Sequence, residues 1–80
     1  MMPTVIFSRR FAKSGHRRHF GVEPHPNGWL AFEESDGTII REISSRNWTR
    51  IEGQIAIFAL KAESLRDQGW QESDPEPTII

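Results

Sequence analysis

Apolar residues follow two rhythms along this chain. Up to about residue 45 they alternate with polar ones, and from Trp48 to Leu65 they recur three and four apart. The first rhythm is that of strands half-buried on one face. Thr4 to Phe7 is β-branched and aromatic, and this strand pattern runs on toward Phe11. Phe20, Val22 and Pro24 alternate with polar or small residues, Trp29 to Glu34 is a further strand, and Thr38 to Ser44 another. Lys13-Ser14-Gly15, Pro26-Asn27-Gly28 and Asp36-Gly37 punctuate them as loops and turns.

The turns set the expected register. Asp36-Gly37 suits a two-residue type I′ hairpin pairing Ser35 with Thr38, which puts Phe32 opposite Arg41 and Leu30 opposite Ile43. Two loops compete for the earlier hairpin. An Asn27-Gly28 loop pairs Pro26 with Trp29 and sets Phe20 and Val22 on the face opposite to Leu30 and Phe32. A three-residue Pro26–Gly28 loop pairs His25 with Trp29 and gathers Phe20, Val22, Leu30, Phe32, Ile39 and Ile43 on one face. A one-residue slip scatters these residues, so the pattern selects the three-residue loop. His19, Glu23, His25, Trp29, Glu33, Ile40 and Glu42 then occupy the open face.

The second rhythm is a helix. Thr49-Arg50-Ile51-Glu52 fits a capping box. Trp48, Ile51, Ile55, Phe58, Ala62 and Leu65 form one stripe. Gly69 is a natural left-handed stop, with Trp70 placed to pack back on Leu65. The expected architecture is α+β: an antiparallel three- to four-stranded sheet packed on one C-terminal helix in two layers, β-β-β-β-α or β-β-β-α. It forms a single domain over residues 1–70, and the acidic, Pro-containing stretch 71–80 is expected to be a disordered tail. The expected core is Phe20, Val22, Leu30, Phe32, Ile39, Ile43, Ile51, Ile55, Phe58 and Leu65.

Eighty residues without a cysteine exclude disulfides and thiolate zinc sites, so such a small core must rely on packing or association. The longest apolar run, Ile55 to Leu60, is far short of the roughly 20 residues a membrane helix needs. No membrane role is expected, and the cysteine-free composition agrees with a cytoplasmic setting. The net charge of −1 conceals an asymmetry: Arg9, Arg10, Lys13, Arg17 and Arg18 all precede the first acidic residue, Glu23. Such a basic arm can contact phosphates, with Phe11 and Phe20 near enough in sequence to stack on bases.

Chemistry is otherwise sparse. There is no nucleophile elbow, phosphate-binding glycine loop or HExxH, and Glu33-Glu34 straddle two faces of a strand. An enzyme is not expected, nor a cofactor. His19, Glu23 and His25 share a strand face, but successive same-face positions lie about 6–7 Å apart, so they are not taken as a metal site. Two apolar features exceed what the core requires. Ile57 and Leu60, with Gly53, Ala56 and Ser64, lie on the back of the helix and suit a homodimer contact. Trp29, His25 and Ile40, on the open sheet face, are the residues expected to meet a partner. The order of three strands and a helix is shared by small DNA-binding and antitoxin-like domains, and such topology leaves function open. The expectation is a small regulatory module that binds a protein, with nucleic acid as the alternative ligand through the basic arm.

Overall fold

The computed structural model describes residues 6–73. Five strands form one antiparallel sheet: β1 (Phe7–Lys13), β2 (His16–His25), β3 (Gly28–Ser35), β4 (Thr38–Ser45) and, after the helix α1 (Trp48–Asp67), a short β5 (Gln71–Glu72). Their order across the sheet is β4-β3-β2-β1-β5. The expected α+β architecture is therefore present, with four main strands followed by one helix. Thr4 and Val5 of the expected first strand, and residues 74–80 of the expected tail, lie outside the described residues. The first residues of that tail are in the sheet: Gln71 and Glu72 pair with Ala12 and Phe11, and Ser73 N–H donates to the Arg10 carbonyl at 2.9 Å.

The helix packs on one face of this sheet. Phe11, Phe20, Val22 and Ala31 from the strands meet Ile51, Phe58, Ala62 and Leu65 from α1, with Phe7, Trp29, Ile55 and Trp70 packed around them. Phe58 is the centre of the cluster, 5.2 Å from the Phe20 ring and 6.3 Å from Phe7. Burying each such side chain contributes about 1.5–3 kcal/mol. Gln54 is the one polar member of the buried helical stripe.

The register differs from that expected. His25 pairs with Gly28, so the loop is Pro26-Asn27, and Gly28 is the first residue of β3. Gly28 has φ +112°, and a Cβ on it would stand 2.5 Å from the Ser45 carbonyl oxygen. Both this backbone conformation, beside the loop, and the close crossing of the chain require glycine there. Pairing Val22 with Ala31 and Phe20 with Glu33 then turns Trp29, Ala31 and Glu33 toward the helix. Leu30 and Phe32 turn away from it, so neither joins the helix-side cluster as expected, although Phe32 is buried on the other face against Gly21 and His19. A bulge between Glu33 and Glu34 shifts β4 by one residue, so Phe32 opposes Glu42 and Leu30 opposes Ser44. Ile39, also expected in the core, is 48% exposed.

The ends of the elements are specific. Asp36 and Gly37, at φ +51° and +83°, make the predicted two-residue turn between Ser35 and Thr38. Asn47, not Thr49, caps α1: its side-chain oxygen accepts from Thr49 N–H at 3.0 Å. At the other end Trp70 N–H donates to Leu65 O and Gly69 N–H to Arg66 O, both at 3.0 Å, the Schellman arrangement the sequence suggests. Lys13 Nζ adds a further donor to the last turn through the Gln68 carbonyl.

Candidate interaction surface

Alternation divides the basic arm between the two faces of the sheet. Arg9 and Arg18 fall on the helix side, beside Phe11 and Phe20, where their stems cover the rim of the core. Arg9 donates to both carboxylate oxygens of Glu72, at 2.8 and 2.7 Å. Arg18 donates to Glu33, whose second oxygen accepts from Lys61 Nζ of the helix at 2.9 Å. Glu33 is only 2% exposed. Burial alone pushes its carboxyl pKa up, but the hydrogen bonds and charges of Lys61 and Arg18 outweigh this and hold it below the usual carboxylate range. The Arg9 hydrogen bond lowers Glu72 in the same sense. Arg9, Lys13 and Arg18 of the arm thus hold the chain's own acceptors.

The helix-free face is built from the alternate positions. Gly21 lies opposite Phe32, whose ring covers it; a Cβ on Gly21 would come within 2.5 Å of the ring. His19 meets the same ring edge-on at 5.2 Å. Its two ring nitrogens face Ser8 Oγ at 2.9 Å and Glu34 Oε1 at 3.4 Å, so the three side chains lace β1, β2 and β3 together. Burial first, and then the charge of Arg10, lower the His19 pKa against the opposing pull of Glu34 and Glu23, which favours the neutral imidazole.

Beside this ladder lies an open depression of about 890 Å³, with Arg10, Arg17, His19, Glu34 and Asp36 among its lining residues. Asp36 also binds the turns together: its carboxylate accepts from Arg17 N–H at 2.8 Å and lies 3.0 Å from His16 Nδ1. Hydroxyl, imidazole and carboxylate in sequence is the order of a nucleophilic triad. Ser8, however, does not line the depression, and the histidine–carboxylate separation is at the limit of a hydrogen bond. Among the described residues no three His, Cys, Asp or Glu side chains group as a metal site. No described helix is long and apolar enough to cross a membrane.

The three residues expected to meet a partner do not form one patch. Trp29 lies on the helix side, not on the open face, because of the register; its ring packs edge-on against Trp48 at 5.1 Å. Glu33, expected on the open face, is buried on the helix side for the same reason. His25 accepts from Asn27 N–H at 3.1 Å and closes its turn. Ile40 is 56% exposed on β4, toward the opposite end of the sheet. Near it on β4 is Ile39, while Ile6 is exposed at the start of β1. Leu30 and the buried Phe32 lie on the helix-free face of β3. These last residues were missed because apolar side chains on both faces of β3 give alternation two solutions. The dimer candidates are placed as expected on the outer side of α1, with Ile57 43% and Leu60 68% exposed.

Comparison with family models, curated proteins and solved structures finds no match. The functional reading therefore rests on these surfaces.

Proposed function

We propose that this chain is a small non-enzymatic interaction module that binds a protein partner, as an inhibitor or adaptor does, and acts as a cytoplasmic homodimer. The observation that carries this reading is the division of the sheet. The cations suited to phosphates are largely committed to Glu72, Glu33 and the helix end, while the helix-free face and the β4 edge expose Ile6, Ile39 and Ile40. Exposed apolar residues set among mixed charges suit a protein surface. Arg10, Arg17 and Arg18 share the depression with Glu34 and Asp36, so a phosphate backbone there would meet carboxylates as well as cations. Among the described residues no strand lies beyond β4, whose outer backbone edge is available to an extended segment of a partner.

Capture from host lysate, with and without nuclease, tests this reading. The expected result is a protein retained after nuclease treatment and lost when Ile39→Asp and Ile40→Asp are introduced together. Recovery of nucleic acid that is lost with Arg10→Ala plus Arg17→Ala, and at raised salt, would replace it with the nucleic-acid reading.

A further inference from the structure

A second group of cations lies outside the N-terminal arm. Arg41, Arg46 and Arg50 are exposed and form no ion pair among the described residues. Two contacts place them relative to one another. Trp48 packs on Trp29, which pairs with Ser45, and Lys61 binds Glu33, which pairs with Arg41. The helix therefore runs antiparallel to β4. Arg46 and Arg50 stand at one end of the step between them, and Arg41 and Lys61 at the other. The two ends are about 13 Å apart along the strand and about 16 Å along the helix. Half-buried Ile43 lies between them on β4, and exposed Ile57 on α1.

Carboxylates are kept out of this step. At 100° per residue, Arg50, Ile57 and Lys61 share the flank of α1 that Lys61 turns toward β3 and β4. The helix's own acids, Glu52, Glu63 and Asp67, lie on its outer side or far flank. Glu42 pairs with Phe32 and so belongs to the helix-free face. Glu33 lies at the base, but it is 2% exposed and both its oxygens are held, by Arg18 and Lys61. The surface is thus positive at its ends and apolar in its middle. It is bordered by the outer edge of β4, which from Arg41 to Ser45 runs in unbroken register with β3, and no described strand covers it.

A strand added to that edge sets alternate side chains on the helix side, opposite Arg41, Ile43 and Ser45. Acidic side chains at the two ends meet the cations, and an apolar one between them meets Ile43 and Ile57. Resting on the protein-binding reading above, we propose that the β4 edge receives an extended segment of the partner with this pattern: acidic, apolar and acidic at every second residue. A nucleic-acid backbone is the poorer match, because it carries charge at every nucleotide and sets phosphate over the two isoleucines.

Fluorescence anisotropy with a short labelled peptide centred on Glu-Thr-Val-Thr-Glu tests this, circular dichroism confirming that each protein variant folds. The wild type is expected to bind it, and Arg41→Glu and Arg50→Glu should each weaken binding roughly fivefold or more. The same peptide with Lys in place of both Glu should bind the double variant and not the wild type. N-methylation of alternate peptide amides should abolish binding on one edge of the peptide and leave it intact on the other. No binding of the peptide, equal binding of its Glu and Lys forms, or indifference to both methylation patterns would overturn the proposal. A labelled oligonucleotide bound instead, and lost with Arg41→Glu plus Arg50→Glu, would replace the acidic strand with a phosphate backbone. Capture from lysate separates this proposal from the broader reading. A protein lost with Ile39→Asp plus Ile40→Asp, but retained by Arg41→Glu plus Arg50→Glu, would keep protein binding and overturn the acidic strand.

Discussion

Phe32 stands directly across the sheet from Gly21, and its ring occupies the space in which a side chain at residue 21 would begin. The pair explains how a strand interior tolerates glycine. The aromatic ring covers the backbone that glycine leaves bare, on the face that has no helix to cover it.

Gly21→Ala should therefore destabilise the fold by about 1–3 kcal/mol, because its Cβ displaces the ring. In a Phe32→Leu background the same change should cost much less. Urea unfolding of the four members of this cycle measures the coupling. Additive effects would show that the ring does not rest on residue 21.

Glu33 joins β2 and α1 through Arg18 and Lys61. Glu33→Gln should cost about 1–3 kcal/mol, at the lower end for a buried pair because Arg18 and Lys61 both reach solvent. Lys61→Met should cost less than about 1 kcal/mol. The lowered Glu33 pKa sets the sign with acid. Its contribution is complete above the unfolded carboxyl value of about 4.3 and is lost as pH falls through the folded value below it. Unfolding midpoints measured down the acid limb should fall more steeply for wild type than for Glu33→Gln; parallel curves would exclude this role.

His19 acts at higher pH. Its folded pKa is lowered, so the native state binds the proton less readily than the unfolded chain. Stability is complete above about pH 6.5 and declines as pH falls toward the folded value. Between about pH 7.5 and 5.5 the wild type should lose more stability than His19→Gln. Equal losses in urea titrations at the two pH values would mean that burial of His19 carries no such linkage.

The helix cap separates two neighbouring residues. Asn47→Ala should cost about 1 kcal/mol, and Thr49→Ala only a few tenths, because the side-chain cap comes from Asn47. Thermal unfolding of both variants checks this. The reverse order would return the cap to Thr49.

The elements were legible because each is written locally. The three-and-four spacing from Trp48 to Leu65 makes a helix whatever surrounds it, and Gly69 with Trp70 ends it by backbone geometry alone. Asp36-Gly37 makes its turn for the same reason. The exposure of Ile57 and Leu60 was legible too, since a helix with one sheet to cover it has a predictable outer side.

Tertiary structure decided which face of β3 is the core. Trp29, Ala31 and Glu33 compete with Leu30 and Phe32 for the helix side, and hydropathy favours the second set. The first set prevails because Gly28 is needed where the chain crosses Ser45, Phe32 is needed over Gly21, and Arg18 and Lys61 compensate a buried Glu33. Each of these contacts joins residues far apart in sequence. The same shift moved Trp29 out of the expected partner surface. Local pattern determines that a strand forms and which residues alternate along it. Which side faces the core is settled by steric and electrostatic partners that only folding brings together.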